Sequence, residues 1–531
     1  MIRLRSSLLR PAAALAALLW FVPSLTAAEP ADGQPNLLFI LTDDQGWPSL
    51  GSFGGEIVPT PHLDALAERG ARFTQAYVTS QCTPTRATLL TGRYSSGHGM
   101  WHVVPPFGLP FARLDEPMCR SELRRSAWTY PKALQQAGYA TAIAGKWHLT
   151  HNDRDGYYNG INPAAAPHFG FDHAPPVISQ KYFVPGADRG VDLLTDQILE
   201  FIEENRDRPW FALLSHHAVH GKIVAPEKLT EEYRARGYGD VGPNRAVYLA
   251  LLEHLDASVG RLVGQLEAWG EAEETVIVFL SDNGGVDRKL QMWDPPPAED
   301  GARLPVTEYE YDNAPLREGK GSIYEGGVRV PWIVAGPGVA AGQVIDAPIH
   351  AVDLAPTLLS LAGAEPGDAD LHGADLSPAL AGEAPEFLAK LNDRPVFQYS
   401  PFYDLRWGLT PCASVVRGDW KLIEFFGDRV AGGDAPGRAD GEDDGLYRVG
   451  AGLELYNLSA DLGEQENLAV ARPAVAAELQ GVLRDWLKET DAAVPRPNSH
   501  FDVARGFEEL HGPPFLELRN RRMEEPTGSA D

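Results

Sequence analysis

Runs that are apolar throughout alternate along the chain with segments whose apolar positions recur at helical spacing. NLLFILTDD, residues 36–44, is a β-run ending in carboxylates and followed by a Gly/Pro-containing turn. PHLDALAERGARF, residues 61–73, sets Leu63, Leu66 and Ala67 on one helical face and stops at Gly70. TYPKALQQAGYATAIAGKWHL reads as a helix, then Gly138, then the strand ATAIAG. VDLLTDQILEFIEENRDRPWFALLSHH predicts a helix over residues 193–202 and the strand WFALLS. VYLALLEHLDASVGRLVGQLEAWG is a long helix leading into TVIVFLSDNGG, and RVPWIVAGPG is one more strand. Fully apolar strands separated by amphipathic helices predict an α/β fold: a large, mainly parallel sheet sandwiched by helices.

DLAPTLLSLAG, residues 353–363, reads as the last helix of that unit. The pattern changes around residues 385–392. VFQYS, ASVVRGDWKLIEFF and LELYNLS read as antiparallel strands around turns. Pro473 to Glu489 then carries a helical stripe of Val475, Leu479, Val482, Leu483 and Trp486. The expected organisation is a large α/β domain over 33–385, a smaller α+β domain over 393–491 and a tail over 492–531. The Gly/Asp-rich insert 427–445 reads as a solvated loop. No internal repeat is visible.

Residues 1–28 carry Arg3, Arg5 and Arg10, then an apolar run, then small residues. This is the pattern of a cleaved signal peptide, so the mature chain is expected in the periplasm or secreted. An uncleaved N-terminal anchor is the competing reading. No later segment is apolar enough for stable membrane insertion, and no cysteine near the cleavage site suggests a lipid anchor. The formal charge of −27 argues against nucleic acid as a partner. An anionic substrate would need a local cationic pocket. The three cysteines, Cys82, Cys119 and Cys412, form an odd and sparse set for an exported chain. Whether Cys119 pairs with Cys412 is left open by the sequence.

Ligands of open parallel sheets sit beyond the carboxyl ends of the strands. NLLFIL ends in Thr42-Asp43-Asp44, and TVIVFL ends in Ser281-Asp282-Asn283. Asp43, Asp44, Asp282 and Asn283 suit a hard cation such as Ca²⁺ or Mg²⁺, although turn capping uses the same residue types. In QCTPTRATLLTG, Thr83 is expected to be the N-cap and Pro84 the first helical residue, with Cys82 and Arg86 facing one anion site. A buried structural cysteine and a thiolate nucleophile both remain open there. Lys146 and His148 follow the strand ATAIAG and point the same way if that stretch is extended, with Trp147 opposite. His216, His217 and His220 follow WFALLS, and Lys320 lies in a glycine-rich loop before a strand.

Together these residues resemble the sulfatase family of the alkaline-phosphatase-like superfamily, from about residue 36 to residue 468. Cys82-Thr83-Pro84-Thr85-Arg86 matches the family's Cys-x-Pro-x-Arg pattern, and TDDQGW, GKWHL, SDNGG, GKGSIYEGGVRVPW, VDLAPTLLSLAG and ELYNLSADLGEQENLA are in family order. The resemblance implies an arylsulfatase-type hydrolase of sulfate monoesters. It implies that Cys82 is converted by a formylglycine-generating enzyme to formylglycine (3-oxoalanine), whose hydrate attacks sulfur. It implies one Ca²⁺ held by Asp43, Asp44, Asp282 and Asn283, with the modified Cys82 nearby. Arg86 and Lys146 would hold the hydrate, and His148 would take the proton whose loss expels sulfate. His220 and Lys320 would bind sulfate and serve the leaving group. Two departures stand out. Thr85 replaces the commoner Ser or Ala, and Val219 replaces the proline of Ala-Pro-His, which keeps His216 and His217 in play. Phosphate or phosphonate ester hydrolysis and non-catalytic binding of sulfated glycans are the rival functions. Trp101, Trp293, Tyr309 and Tyr311 are expected either to line the mouth for a sugar or to pack, and residues 286–316 to form a rim or lid.

Overall fold

The computed structural model describes residues 33–501, except 105–111, 151–159, 177–179, 222, 241–243, 288–310, 383, 405–406, 431–446 and 450–451. The leader, Trp293, Tyr309 and most of the expected rim segment lie outside the described residues.

Seven strands form the main sheet: β1 (Asn36–Thr42), β2 (Gly70–Phe73), β3 (Ala140–Gly145), β4 (Trp210–Ser215), β5 (Thr275–Ser281), β6 (Trp332–Ala335) and β7 (Gln343–Ile345). Their order is β3-β4-β1-β5-β6-β2-β7. The block β3-β4-β1-β5 is parallel, whereas β6 runs antiparallel to both β5 and β2. The sheet is therefore mixed on one side of its centre. β2 was hidden in the sequence behind the helix Pro61–Arg69 that runs straight into it. Gly70 makes that junction possible: a Cβ there would lie 2.1 Å from the carbonyl oxygen of Val334 on the neighbouring strand.

Alternation along β1 explains why this run is apolar throughout. Leu37, Phe39 and Leu41 face one helical layer that includes Leu89, Leu90, Leu354 and Leu358. Leu38 and Ile40 face the other, with Leu63, Leu66, Ile198 and Leu262. Among the described residues, no helix is long and apolar enough to cross a membrane.

Four antiparallel strands, Val396–Ser400, Cys412–Arg417, Trp420–Phe425 and Gly452–Asn457, make the smaller sheet. The helix Pro473–Glu489 covers it through Leu479, Leu483 and Trp486. This core also takes in Tyr77, Ile323, Tyr324 and Val328 from the larger unit. The insert read as a solvated loop has paired flanks, Asp428–Val430 against Tyr447–Val449. Cys119 and Cys412 are both free thiols.

Candidate active site

Parallel register brings the two acidic strand ends together. Thr42 pairs with Ser281, so Asp43-Asp44 and Asp282-Asn283 leave the sheet side by side. The Asp44 N–H donates to Asp282 Oδ1 at 3.2 Å, and Asn283 Nδ2 donates to Asp44 Oδ1 at 2.7 Å. All four side chains are buried. Beside them, Gly145 pairs with Ser215, so Lys146 and the histidine segment emerge at the same edge. That segment is tied to β1 by Asp43 N–H to Ala218 O and Val219 N–H to Asp43 O, at 2.9 and 2.6 Å.

The helix carrying the cysteine starts earlier than the sequence suggested. It spans Cys82–Thr91, with Gln81 rather than Thr83 at the N-cap. Pro84 is the third helical residue, where a missing N–H still costs no intrahelical bond. Cys82 thus sits in the first turn, and its Sγ lies 3.6 Å from Asp43 Oδ1. Burial pushes its thiol up to about 12, although Lys146 and Lys320 work the other way. An unmodified Cys82 is therefore a neutral thiol here, which disfavours the thiolate nucleophile. Thr85 turns inward and shares a 2.7 Å hydrogen bond with the Thr79 hydroxyl. The departure from Ser or Ala is absorbed by local packing.

Arg86 is buried and held by an ion pair and three hydrogen bonds. Its Nε and Nη2 reach Asp282 Oδ2 at 2.9 and 2.7 Å, and Nη1 donates to Lys146 O and Ser215 Oγ at 3.0 and 2.7 Å. Lys146 Nζ lies 2.6 Å from Asp43 Oδ2, and Lys320 Nζ lies 2.7 Å from Asp44 Oδ2. Burial would raise the Asp43 carboxyl, but Lys146, His220, Arg86 and Lys320 hold it well below its usual range. Asp282 is pushed up to about 6 by burial and by its neighbour Asp43. Lys320 stays protonated well above its usual range: burial opposes its charge, but Asp44 and the other anionic groups outweigh it.

His148 adopts a left-handed backbone (φ 57°), so the stretch after β3 is not extended at that point. Trp147 nonetheless goes into the core. His148 Nε2 lies 3.2 Å from Val104 O. A carbonyl can only accept, so Nε2 carries the proton and the buried Nδ1, which has no partner, presents a lone pair. His220 Nδ1 is 2.7 Å from Gly221 O, which leaves Nε2 facing Asp44 Oδ2 at 3.8 Å. His217 is buried with its ring edge on Phe183, within the fields of Lys146 and Asp43. His216 is buried and feels His254 and Asp188 instead.

Among the described residues, Asp43, Asp44, Cys82 and His220 offer ligand atoms all within 4.8 Å of one another. Asn283 Oδ1 is a buried acceptor without a partner. Asp282 lies outside that group of ligand atoms: its Oδ1 accepts from the Asp44 N–H and its Oδ2 pairs with Arg86. This donor set fits a hard divalent cation. Trp101 and Tyr311 are packing residues, not mouth aromatics. Trp101 meets Tyr399 edge-on at 5.7 Å, and Tyr311 lies against Tyr248. Sequence reasoning missed Ser215, the hydroxyl that anchors Arg86. It also missed Arg189, whose guanidinium donates to the carbonyls of His217 and Gly221 and so braces the loop carrying His220.

A family model described as Sulfatase matches residues 35–364, more than half of the chain. The chain belongs to the sulfatase family. It is a sulfuric ester hydrolase. A second model, N-sulphoglucosamine sulphohydrolase C-terminal, matches residues 319–431. This sulfatase is 31% identical to arylsulfatase A of Homo sapiens, over 92% of the chain and 93% of that protein. In fold it is similar to Ps i-CgsB, solved in complex with k-i-k-neocarrahexaose (TM-score 0.63, 23% identity, 92% and 99% covered). It is also similar to the phosphonate monoester hydrolase SpPMH of Silicibacter pomeroyi (TM-score 0.57, 22% identity, 88% and 100% covered).

Proposed function

We propose that this chain, exported and processed at residues 1–28, cleaves sulfate monoesters of external carbohydrates with a formylglycine made from Cys82. The observation that carries the reading is the first helical turn at Cys82, buried within reach of Asp43 and flanked by Arg86, Lys146 and Lys320. A neutral buried thiol is a poor nucleophile, whereas a hydrated aldehyde supplies an oxygen nucleophile and an exit from the enzyme–sulfate ester. That conversion calls on a formylglycine-generating enzyme as maturation partner.

The residues divide the work by side. Asp43, Asp44, Asp282 and Asn283, with the modified side chain at position 82, would hold one Ca²⁺. When bound, that ion offsets sulfate charge and polarises the sulfur centre. Arg86 and Lys146 fix the side chain at position 82 and add positive charge where the ester oxygens crowd. Their own carbonyl, hydroxyl and carboxylate contacts hold them in place before substrate arrives. His148 Nδ1, with its lone pair free and its tautomer set by Val104 O, accepts the proton whose loss releases sulfate. His220 Nε2 and Lys320 Nζ stand on the Asp44 side, where the departing alcohol oxygen needs a proton or a counter-charge.

The acidic surface repels anions at long range, so recognition rests on this enclosed cationic group. The sulfated sugar is favoured by the carbohydrate named in the Ps i-CgsB structure. Phosphonate ester hydrolysis is the reading to test against, since that fold hosts it too.

The decisive experiment is mass spectrometry of the Cys82 peptide from protein made in a host with the converting enzyme. Activity is assayed in parallel on aryl sulfate, aryl phosphate and aryl phosphonate. Conversion at residue 82 with sulfate esters preferred is the expected result. Full turnover by protein carrying an intact thiol would sink the mechanism, and preference for phosphonate would sink the substrate class.

A further inference from the structure

A loop of the smaller sheet reaches into the site region. It follows the strand Val396–Ser400 and folds into a tight turn, with Trp407 N–H donating to Asp404 O at 3.0 Å and reciprocal Asp404–Leu409 backbone bonds at 2.9 and 3.0 Å. Two contacts lock it to the catalytic elements. The buried Asp404 carboxylate accepts from Gln81 Nε2 at 2.8 Å, and Gln81 directly precedes Cys82. Trp407 lies directly on Gly321, next to Lys320. A Cβ at Gly321 would come 2.2 Å from Trp407 Cγ, and Gly321 has φ 80°. No side chain larger than hydrogen fits there, so the Lys320 loop and Trp407 are in direct contact without a spacer. The Gly321 N–H in turn donates to Ser80 O at 2.7 Å.

The ring of Trp407 is half-buried, with its centroid 5.9 Å from Lys320 Nζ. That ammonium is the one 2.7 Å from Asp44 Oδ2. Trp407 thus places an aromatic surface about one ring-width from the leaving-group side of the site. The buried Trp101 and Tyr311 offer no such surface.

We propose that Trp407 is a specificity-determining residue: the ring of the substrate's alcohol half stacks on its indole while the ester oxygen faces Lys320. An indole face suits the apolar C–H face of a pyranose or an aryl ring. The inference rests on the sulfatase reading above and adds the subsite next to the anion pocket. It also gives the smaller sheet a role in substrate choice, since its loop supplies the platform.

The test compares a ring-bearing ligand with a ringless one on the mature enzyme. The Michaelis constant for 4-nitrophenyl sulfate is measured beside the inhibition constant of inorganic sulfate, for wild type, Trp407→Ala and Trp407→Phe. Trp407→Ala should raise the Michaelis constant about 10-fold, the loss of one stacked ring. The sulfate inhibition constant should move less than about 2-fold, and Trp407→Phe should restore most of the loss. An unchanged Michaelis constant in Trp407→Ala overturns the inference. So does an equal rise of both constants, which would mark a purely structural role. Wild-type protein that cleaves no sulfate ester overturns the underlying chemistry instead, and is distinguished by its own inactivity.

Discussion

Lys421 Nζ lies 2.8 Å from Glu325 Oε1 and 2.9 Å from Glu464 Oε1, and none of the three side chains is exposed. Glu325 also accepts from Tyr77 OH and pairs with Arg329. Lys421 belongs to the smaller sheet, and Glu325 follows the Lys320 loop closely. One buried ammonium therefore joins the two units behind the site.

Removing it leaves two buried carboxylates short of a partner. Lys421→Met should lower stability by roughly 3–5 kcal/mol, as breaking one side of a buried ion pair does. Urea unfolding of wild type and variant checks this. A midpoint shift too small for about 1 kcal/mol would show that the cluster relaxes without cost.

Arg86→Lys tests the fork geometry. A lysine carries the charge but cannot reach Asp282 Oδ2, Lys146 O and Ser215 Oγ together. The turnover number on aryl sulfate should fall at least about 100-fold, the usual loss for a misplaced charge stabiliser. Retention of more than a third of wild-type turnover would show that charge alone suffices.

Cation removal should be visible without any assay of activity. Chelation of the purified enzyme is expected to lower the melting temperature, and excess Ca²⁺ to restore it. At a free ion concentration 100 times the dissociation constant, the gain is about 2.7 kcal/mol. An Asp282→Asn variant should show a smaller Ca²⁺ response. Identical melting curves with chelator and with Ca²⁺ would remove the cation from the site.

Acid stability should follow the buried histidines. His98 accepts the Met100 N–H at Nδ1 (3.1 Å), and its Nε2 is 3.0 Å from Thr88 Oγ1, an arrangement that requires the neutral ring. Burial, aided by Arg93, lowers its pKa to about 3 from the ordinary 6.5. The folded value is depressed, so the unfolded chain takes up the proton first. Stability from this group is complete above pH 6.5 and declines as pH falls toward 3. At pH 5 the loss is about 2 kcal/mol. His350 adds in the same direction. Urea midpoints at pH 7 and pH 5 should differ less in His98→Gln than in wild type, and equal differences would contradict the assignment.

The site was legible in sequence where chemistry sits at the end of an apolar run. Asp43, Asp44, Asp282, Asn283 and Lys146 follow β-runs directly, and strand register carries them to one edge. Residues placed by turns were not legible in the same way. Three histidines crowd residues 216–220, and only the path of the chain after β4 sets His220 against Asp44 while His216 is buried in the field of His254 and Asp188. For Trp101 and Tyr311, in irregular segments, the sequence left both a mouth and a packing role open, and a distant element covering each decides for packing.

From local pattern alone come the layered α/β order, the antiparallel strands of the smaller unit, the cysteine motif and the acidic strand ends. These depend on contacts a few residues apart and on apolar periodicity. Tertiary structure alone decides the antiparallel turn of β6, the helix start at Cys82, the tautomer of His148 and the approach of Trp407 to Lys320. Each of these depends on groups far apart in the chain, whose meeting is set by sheet order and close packing.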